Sequence, residues 1–328
     1  MKKSIVSIGV LCILFVALFV FLSSCHGAGA YEEKSFYVDQ EFSILIIDAD
    51  TENISFVVSD NEKCSVVSTE RERVYHTVTN EGGKLTVKTV DDRRWYEKFG
   101  ISYDNRITVY LPRSNSTSVI INADTGNVEI PEDFTFEHID INIDTGNVIC
   151  NASATTFISI ESDTGNILMK NNSAEKVELE TETGNMSASG ARCDYLSAKT
   201  DTGDILASDI ICTDELRASV DTGKTVLSNI TCKSFVSTGE TGRIQLSSVI
   251  VEEKMTIKRN TGDVRFDKCD AGEVEIITDT GDVKGSFLTE KIIFAETDTG
   301  MVDVPKLTSG ARCDITTDTG DIKITIEQ

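Results

Sequence analysis

An Asp-Thr-Gly triplet, or a close variant of it, recurs throughout the last two-thirds of the chain. Successive glycines of the triplet are always 19 or 20 residues apart. The eleven glycines, called here the corner glycines, are Gly126, Gly146, Gly165, Gly184, Gly203, Gly223, Gly242, Gly262, Gly281, Gly300 and Gly320. A short fixed period is typical of a solenoid, in which each repeat is one coil that buries its hydrophobic face only against its neighbours.

Apolar and polar residues alternate on both sides of each corner glycine. Positions are numbered here from the corner glycine of the same repeat, and positions −7, −5 and +2 are apolar in almost every repeat. The exceptions are Ser237 at −5 and Thr225 at +2. Such alternation indicates two short strands joined by a tight corner. Because these strands are too short to pair within one coil, we predict an all-β fold, a single-chain parallel β-helix of about eleven regular coils, roughly 50 Å long at ~4.8 Å per coil.

Three residue types at fixed positions carry further expectations. The inward-facing positions are odd before the corner glycine and even after it, so the chain must change phase at the corner. The corner glycine is therefore expected in a left-handed conformation that other residues avoid. The Asp at −2 should point outward and accept backbone N–H groups, while the Thr at −1 should point inward. Cys193, Cys212 and Cys232 all lie at +9, which predicts a ladder of small buried side chains, with one strained disulfide left open.

Residues 1–30 carry a membrane signal. Lys2 and Lys3 precede the uncharged 18-residue stretch Ile5–Leu22, which is long enough to span a bilayer. It could remain as a transmembrane anchor, direct lipid attachment to Cys25, or be cleaved after residues 28–30. Each outcome places residues 31–328 outside the cytoplasmic membrane, so we expect a cell-membrane protein with an extracytoplasmic ectodomain.

Residues 31–118 repeat less regularly and are expected to form an N-terminal cap with irregular coils, before the regular repeats of residues 119–328. The stretch 47–58 resembles a degenerate coil with Asp50-Thr51-Glu52 at its corner, and residues 84–90 and 106–112 alternate as strands. Between these two strands lie weak candidates for a ligand-binding patch, the alternative being a loop that packs over the cap. They are Arg93, Arg94, Trp95 and Tyr96.

Aspartic proteases also carry an Asp-Thr-Gly triplet, but this chain does not fit that class. Such an enzyme needs two carboxylates facing each other and sharing a proton, whereas the acids here follow one another along the corners. Coils that differ by one residue leave no room for cleft-building loops. The only histidines are His26, His76 and His138, and no Ser-His-Asp arrangement can be argued. We therefore propose no catalytic residue and no cofactor, with a carbohydrate-active β-helix enzyme as the alternative.

The chain is strongly acidic, with 54 acidic and 31 basic residues and a net charge of −23. This charge disfavours a nucleic-acid partner. Carboxylates repeated at the coil spacing would repel one another, and oxygen ligands suit Ca²⁺, so a weak calcium-binding surface protein is a second alternative. The weak candidate ligands are Asp263, Asp279, Asp282, Asp298, Asp318 and Asp321.

The final coil raises the question of self-association. The apolar residues Ile322, Ile324 and Ile326 stand at the end of the sequence. An uncovered final coil would offer backbone groups to another strand, which predicts end-to-end association. Alternatively, the charged residues Asp321, Lys323 and Glu327 protect that edge.

Several features together resemble the bacterial putative-adhesin family of membrane-anchored proteins. They are the N-terminal anchor, the ITVYLP strand at 107–112 and the repeated xVxIxTDTGDVxI unit, and the resemblance covers about residues 35–328. It implies a β-solenoid ectodomain at the cell envelope, without catalytic residues. Some members are encoded beside envelope-stress regulators, which implies a sensory or scaffolding role. We therefore expect a non-enzymatic module for binding, adhesion, scaffolding or stress sensing, with an envelope protein or wall polymer as candidate partner.

Overall fold

The computed structural model describes residues 32–94, 105–113 and 117–327. These residues form β-strands that all belong to one sheet. The strands are β1 (Glu32–Val38), β2 (Ile44–Ala49), β3 (Asn53–Val58), β4 (Cys64–Glu70), β5 (Val74–Glu81), β6 (Lys84–Asp91), β7 (Arg106–Leu111), β8 (Ser118–Thr125), β9 (Val128–Ile130), β10 (Thr135–Thr145), β11 (Val148–Cys150), β12 (Ser153–Thr164), β13 (Ile167–Lys170), β14 (Lys176–Thr183), β15 (Met186–Ser189), β16 (Arg192–Thr202), β17 (Ile205–Thr222), β18 (Thr225–Thr241), β19 (Ile244–Thr261), β20 (Val264–Thr280), β21 (Val283–Phe287), β22 (Lys291–Thr299), β23 (Val302–Asp303), β24 (Ala311–Thr319) and β25 (Ile322–Ile326). The predicted anchor and Cys25 lie outside the described residues. Within the described ranges, no helix is long and apolar enough to cross a membrane.

The regular repeats stack as parallel coils in register, which confirms the predicted β-solenoid. For example, Ile141 of one coil pairs with Ile121 of the coil before it and with Ile160 of the coil after it. Inward side chains at −7, −5 and +2 form continuous apolar columns, and these three isoleucine side chains are almost fully buried. The core is therefore a stack of like residues along the solenoid axis.

A second corner, which the sequence reading missed, lies six residues after the corner glycine. In several coils a residue other than glycine adopts a positive φ there, for example Asn171 at 56° and Asp209 at 57°. Gly190 occupies the equivalent place with φ 69°. Part of this column was visible in the sequence, because Asn, Asp and Gly are the residues that tolerate this conformation best. Ser248 at 54° and Lys268 at 50° adopt it without that signal. A third bend follows position +9, where the strand register shifts, for example between Cys212 and Glu215.

The corner glycines are required mainly because successive coils approach closely. Gly203 has φ 152°, and a Cβ atom there would lie 1.8 Å from the carbonyl oxygen of Gly184 in the preceding coil. The backbone is therefore extended with positive φ rather than in the compact left-handed region that the phase change predicted. Glycine fits because it has no Cβ atom.

The expectation that the Thr at −1 points inward is wrong. Strand pairing passes from Ile143 and Ala123 directly to Thr145 and Thr125, because the chain bends at −2. Both the Asp at −2 and the Thr at −1 are consequently exposed, as Asp144 and Thr145 show. The outward direction of the Asp was predicted, but the threonine was assigned to the wrong side of the corner.

The corner is instead closed from position −3, where a buried Ser or Thr recurs. Thr200 Oγ1 donates to the carbonyl oxygen of Gly184 in the preceding coil at 3.2 Å, and Thr181 Oγ1 donates to that of Gly165 at 3.2 Å. Ser162, Thr278, Thr297 and Thr317 make the equivalent bond. The inward hydroxyl expected of −1 is therefore supplied two residues earlier.

The cysteine ladder is confirmed. Cys193 pairs in register with Cys212, and Cys212 with Cys232. All seven cysteines of the described ranges are buried and free. Burial raises the pKa of Cys232 to about 12, so this thiol stays protonated and behaves as a compact apolar group.

Buried Arg259 explains both sequence exceptions, Ser237 and Thr225. The Arg259 side chain takes the inward −3 position, and its Nη2 donates to Ser237 Oγ at 2.8 Å and to Thr225 Oγ1 at 3.2 Å. Gly239 supplies the space, since a Cβ atom there would lie 2.4 Å from Arg259 Nη1. Burial lowers the pKa of Arg259 to about 10.

The N-terminal region combines one coil with an antiparallel cap. β2 and β3 flank the degenerate corner, pairing in parallel with β8 and β9 on one side and with β6 and β7 on the other. Glu52 occupies the corner directly beneath Gly126. β1 pairs antiparallel with β4, β4 with β7 and β5 with β6. We call β1, β4 and β5 the cap strands, because they cover this end of the stack.

The far end departs from the predicted order of coils. The coil of Gly320 stacks directly on the coil of Gly281, and Thr319 pairs with Thr280 on one side and with Thr299 on the other. The coil of Gly300, formed by β22 and β23 and called here the terminal coil, is therefore outermost. The expected uncovered strand at 322–326 is wrong for its first two residues, since Ile322 pairs with both Val283 and Val302. Among the described residues, the rest of that strand, residues 324–326, pairs only with β21.

Candidate functional site

The six candidate calcium ligands fall into two separate columns. Asp263, Asp282 and Asp321 occupy position +1, and the other three occupy position −2. In the +1 column, Asp263 Oδ1 accepts the backbone N–H of Asp282 at 3.2 Å, and Asp282 Oδ1 accepts that of Asp321 at 2.9 Å. These carboxylates act as acceptors that tie one coil to the next.

Basic side chains occupy the remaining oxygens of two of these carboxylates. Arg265 Nη2 lies 2.9 Å from Asp263 Oδ2, and Lys284 Nζ lies 2.6 Å from Asp282 Oδ2. The Lys284 hydrogen bond and the Asp321 backbone N–H lower the pKa of Asp282. Across the described ranges, no group of three or more His, Cys, Asp or Glu side chains is placed to hold a metal ion. The calcium hypothesis stays a prediction, and the structure does not bring its six candidates together.

An asparagine ladder, which the sequence reading missed, fills the +1 column nearer the N-terminus. Asn127 Oδ1 accepts the backbone N–H of Asn147 at 3.0 Å, and Asn147 Oδ1 accepts that of Asn166 at 3.0 Å. Each side-chain amide also donates to the amide oxygen of the coil before it, as Asn166 does to Asn147 at 2.9 Å. The Asx geometry expected at −2 is therefore found at +1 and links neighbouring coils.

The arginine-aromatic patch is only partly covered by the described residues. Arg93 forms a bidentate ion pair with Asp91, at 2.9 and 2.8 Å. This contact holds the Arg93 guanidinium against the end of β6. Arg94 is the last described residue of this segment, and Trp95 and Tyr96 lie outside the described residues. Their role in ligand binding stays a prediction.

Two open grooves lie on the face formed by the short strands after the corner. The first has a volume of about 500 Å³ and is lined by the asparagine ladder together with Ile149 and Leu168. The second has a volume of about 640 Å³, and Arg265, Lys284 and Lys323 line it in register. Amide and aliphatic groups line the first groove, and ion-paired charges line the second. Neither lining contains a nucleophile beside a histidine base.

The terminal coil exposes an unusual concentration of apolar surface. Phe294 is 56% exposed, Met301 71% and Val302 44%. Ile293, at −7, is only partly buried, whereas its counterpart Ile139 in an interior coil has no exposed surface. β22 pairs with β24 and β23 with β25, and within the described ranges no strand covers their outer edges. The hydrophobic stack is thus open at this end.

The chain is similar to several solved structures. A crystal structure of a putative adhesin from Bacteroides fragilis NCTC 9343 is 14% identical and aligns over 90% of this chain and 97% of its own, with a TM-score of 0.44. A putative adhesin from Parabacteroides merdae ATCC 43184 is 12% identical over 79% of this chain and 97% of its own, with a TM-score of 0.41. A putative lipid binding protein from Parabacteroides distasonis ATCC 8503 is 12% identical over 89% and 97%, with a TM-score of 0.36.

A family model gives the assignment. No curated protein matches the chain. The model of Toastrack DUF4097 matches residues 42–229 and 209–328, overlapping over one repeat. The matched ranges include the degenerate first coil and every corner glycine, and they confirm the resemblance drawn from the repeat unit. The chain therefore belongs to the Toastrack DUF4097 family.

Proposed function

We propose that this protein is a non-enzymatic, membrane-anchored, extracytoplasmic solenoid that acts as an adhesion or scaffolding module of the cell envelope. We further propose that the terminal coil is its binding surface. The observation that supports this most directly is the difference between the two ends. Cap strands cover the N-terminal end, whereas the terminal coil leaves Ile293 partly exposed and Phe294 mostly exposed.

The chemistry of the terminal coil favours a strand-forming partner. The outer edge of β22 presents backbone N–H and C=O groups, which another extended segment can pair. The exposed side chains of Phe294 and Met301 would be buried by the same contact. The chain has a net charge of −23, so two copies repel each other over most of their surfaces. An apolar edge allows association without a partner of opposite charge.

A second copy of the chain fits this surface. Two terminal coils related by a two-fold axis would pair β22 with its own counterpart antiparallel, so each copy would contribute the same edge. The predicted anchor precedes β1, at the opposite end of the rod. Copies joined through their terminal coils would therefore carry their anchors at the two far ends, and the pair would bridge two membranes.

The proposal is tested by tethering of vesicles that carry the full-length chain. Wild-type protein is expected to cluster phosphatidylglycerol–phosphatidylethanolamine vesicles, measured by dynamic light scattering. Phe294→Glu should abolish clustering while the coil stays folded, since Arg312 lies 5.3 Å from the Phe294 ring and can pair with the new carboxylate. Leu206→Glu is the matched control, because Leu206 is 44% exposed on an interior coil. Equal clustering by the two variants, or none by wild type, would refute the terminal-coil contact.

A wild-type chain that leaves vesicles dispersed would point to an envelope protein or a wall polymer as the partner instead. Millimolar calcium is added in a parallel series. Clustering that needs calcium and persists in Phe294→Glu would assign association to the aspartate columns rather than to the terminal coil.

A further inference from the structure

A buried histidine lies between two buried carboxylates in the N-terminal region. His76, on β5, has a fully buried side chain. Its Nε2 atom lies 3.4 Å from Glu52 Oε1, and its Nδ1 atom lies 3.6 Å from Glu70 Oε1. Buried ionisable groups of this kind are stable only when their charges are matched.

The two carboxylates are themselves fixed by other groups. Glu52 Oε2 accepts the backbone N–H groups of Asp50 and Thr51, both at 2.9 Å. Glu70 Oε1 accepts the backbone N–H of His76 at 2.9 Å, and Lys34 Nζ lies 3.3 Å from Glu70 Oε2. The chain of groups is therefore Glu52, His76, Glu70 and Lys34, with two negative and two positive charges when the imidazole is protonated.

This cluster joins the cap strands to the first coil. Lys34 lies on β1, Glu70 on β4 and His76 on β5, whereas Glu52 forms the corner between β2 and β3. Gly126 of the next coil rests on the carbonyl oxygen of that same corner residue. A change in the charge of His76 would therefore act on all three cap strands at the point where they meet the solenoid.

A proton fits this site better than a metal ion does. The two carboxylates face opposite nitrogens of one imidazole ring, so a single ion could not be ligated by both glutamates and by the histidine together. A proton on each ring nitrogen, in contrast, gives each carboxylate a donor. We propose that protonated His76 is a pH-dependent latch that holds the cap strands on the first coil and releases them when the imidazole loses its proton at higher pH.

The pKa directions agree with the geometry. Burial lowers the pKa of His76, but the Glu52 and Glu70 carboxylates beside its two ring nitrogens outweigh burial, so the pKa lies above its ordinary 6.5. Burial raises the pKa of both glutamates, but His76 outweighs it together with Thr51 and Thr89 at Glu52 and with Lys34 at Glu70, so each pKa lies below its ordinary 4.5. Stability from His76 is thus complete below pH 6.5 and is lost as the pH rises through the folded value, while stability from the glutamates is lost in acid.

The latch is tested by hydrogen exchange of the full-length chain between pH 6 and pH 9.5. After correction for intrinsic exchange, the opening equilibrium of peptides from residues 32–91 should rise by up to about tenfold per pH unit above pH 6.5, until the folded pKa of His76 is reached. Peptides from the interior coils serve as the internal reference and should show no such rise.

Substitutions assign the effect to His76. His76→Gln should open the cap at pH 6 and remove the pH dependence. His138→Gln should behave as wild type, because His138 is partly exposed on β10 and its nearest carboxylate oxygen, of Glu137, is 3.9 Å away. If His76→Gln does not fold, Glu70→Gln provides the test, since it lowers the folded pKa of His76 and should end the rise at a lower pH. A wild-type cap whose corrected exchange is independent of pH would overturn the proposal, whatever vesicle clustering shows.

Discussion

Replacing one corner glycine should destabilise the solenoid more than backbone strain alone can explain. In Gly203→Ala, the new Cβ atom would lie 1.8 Å from the carbonyl oxygen of Gly184, whereas ordinary contact begins at 3.4 Å. The two coils are held at their present separation by hydrogen bonds such as the one from Gly184 N to Thr202 O at 2.9 Å. Relief of the overlap would need a shift of more than about 1 Å, which would stretch these bonds.

The magnitude can be divided into strain and overlap. A non-glycine residue in a sparsely populated φ/ψ region costs about 1–3 kcal/mol. Losing the bonds between coils adds about 1 kcal/mol for each bond. We expect the total loss to exceed about 4 kcal/mol, which few single substitutions reach.

Gly82→Ala separates the two contributions. Gly82 has φ 61°, but a Cβ atom there would have no neighbour within 4 Å, so only strain of about 1–2 kcal/mol is expected. Urea unfolding followed by far-ultraviolet circular dichroism gives the midpoints of both variants. Equal shifts in the two midpoints would show that close approach of the coils is not what requires glycine at the corner.

Three further predictions follow from the core and the outer ladder. Gly239→Ala should lower the melting temperature more in the wild type than in an Arg259→Met background, because the new methyl group would lie 2.4 Å from Arg259 Nη1 and 2.7 Å from the backbone oxygen of Val220, and only the first overlap disappears with the guanidinium; equal losses in both backgrounds would contradict this. Asn147→Ala should lower the free energy of unfolding by about 1 kcal/mol or more, since Asn166 loses its acceptor, whereas Asn147→Asp keeps that acceptor and loses only the donor to Asn127, so its midpoint in the same urea titration should lie between those of Asn147→Ala and the wild type. The seven buried cysteines should not react with Ellman's reagent at pH 8 until urea unfolds the chain, and rapid labelling of native Cys232 would show that the ladder opens.

The sequence predicted the coil because its period and its alternation agree at every repeat. The inward columns at −7, −5 and +2 could be assigned from parity alone, and so could the stacking of Cys193 on Cys212. Parity failed at the corner, because a bend at −2 turns two consecutive side chains to the same side. The threonine at −1 was therefore assigned to the wrong face.

Departures from the regular pattern that depend on a residue of another coil could not be predicted from one repeat at a time. Ser237 and Thr225 are single polar residues in apolar columns. They are polar because their hydroxyl groups accept hydrogen bonds from the Arg259 side chain of another coil. The order of the last coils was equally hidden, since both carry the same pattern and either could stack on the Gly281 coil. The His76 cluster lies in the irregular region, where β1, β4 and β5 have no repeat from which their partners could be derived.

The order of the last coils constrains how the chain can be assembled. Residues 291–303 are synthesised before residues 311–326, yet β24 and β25 lie between the earlier segment and the coil of Gly281. Growth by successive addition of each newly made coil therefore stops at Gly281, and the next segment has to wait for the one behind it. If residues 291–303 of a nascent chain paired with the Gly281 coil first, they would have to dissociate before residues 311–326 could take that position. Correct ordering of the last two coils is therefore expected to be a slow step in the folding of this solenoid.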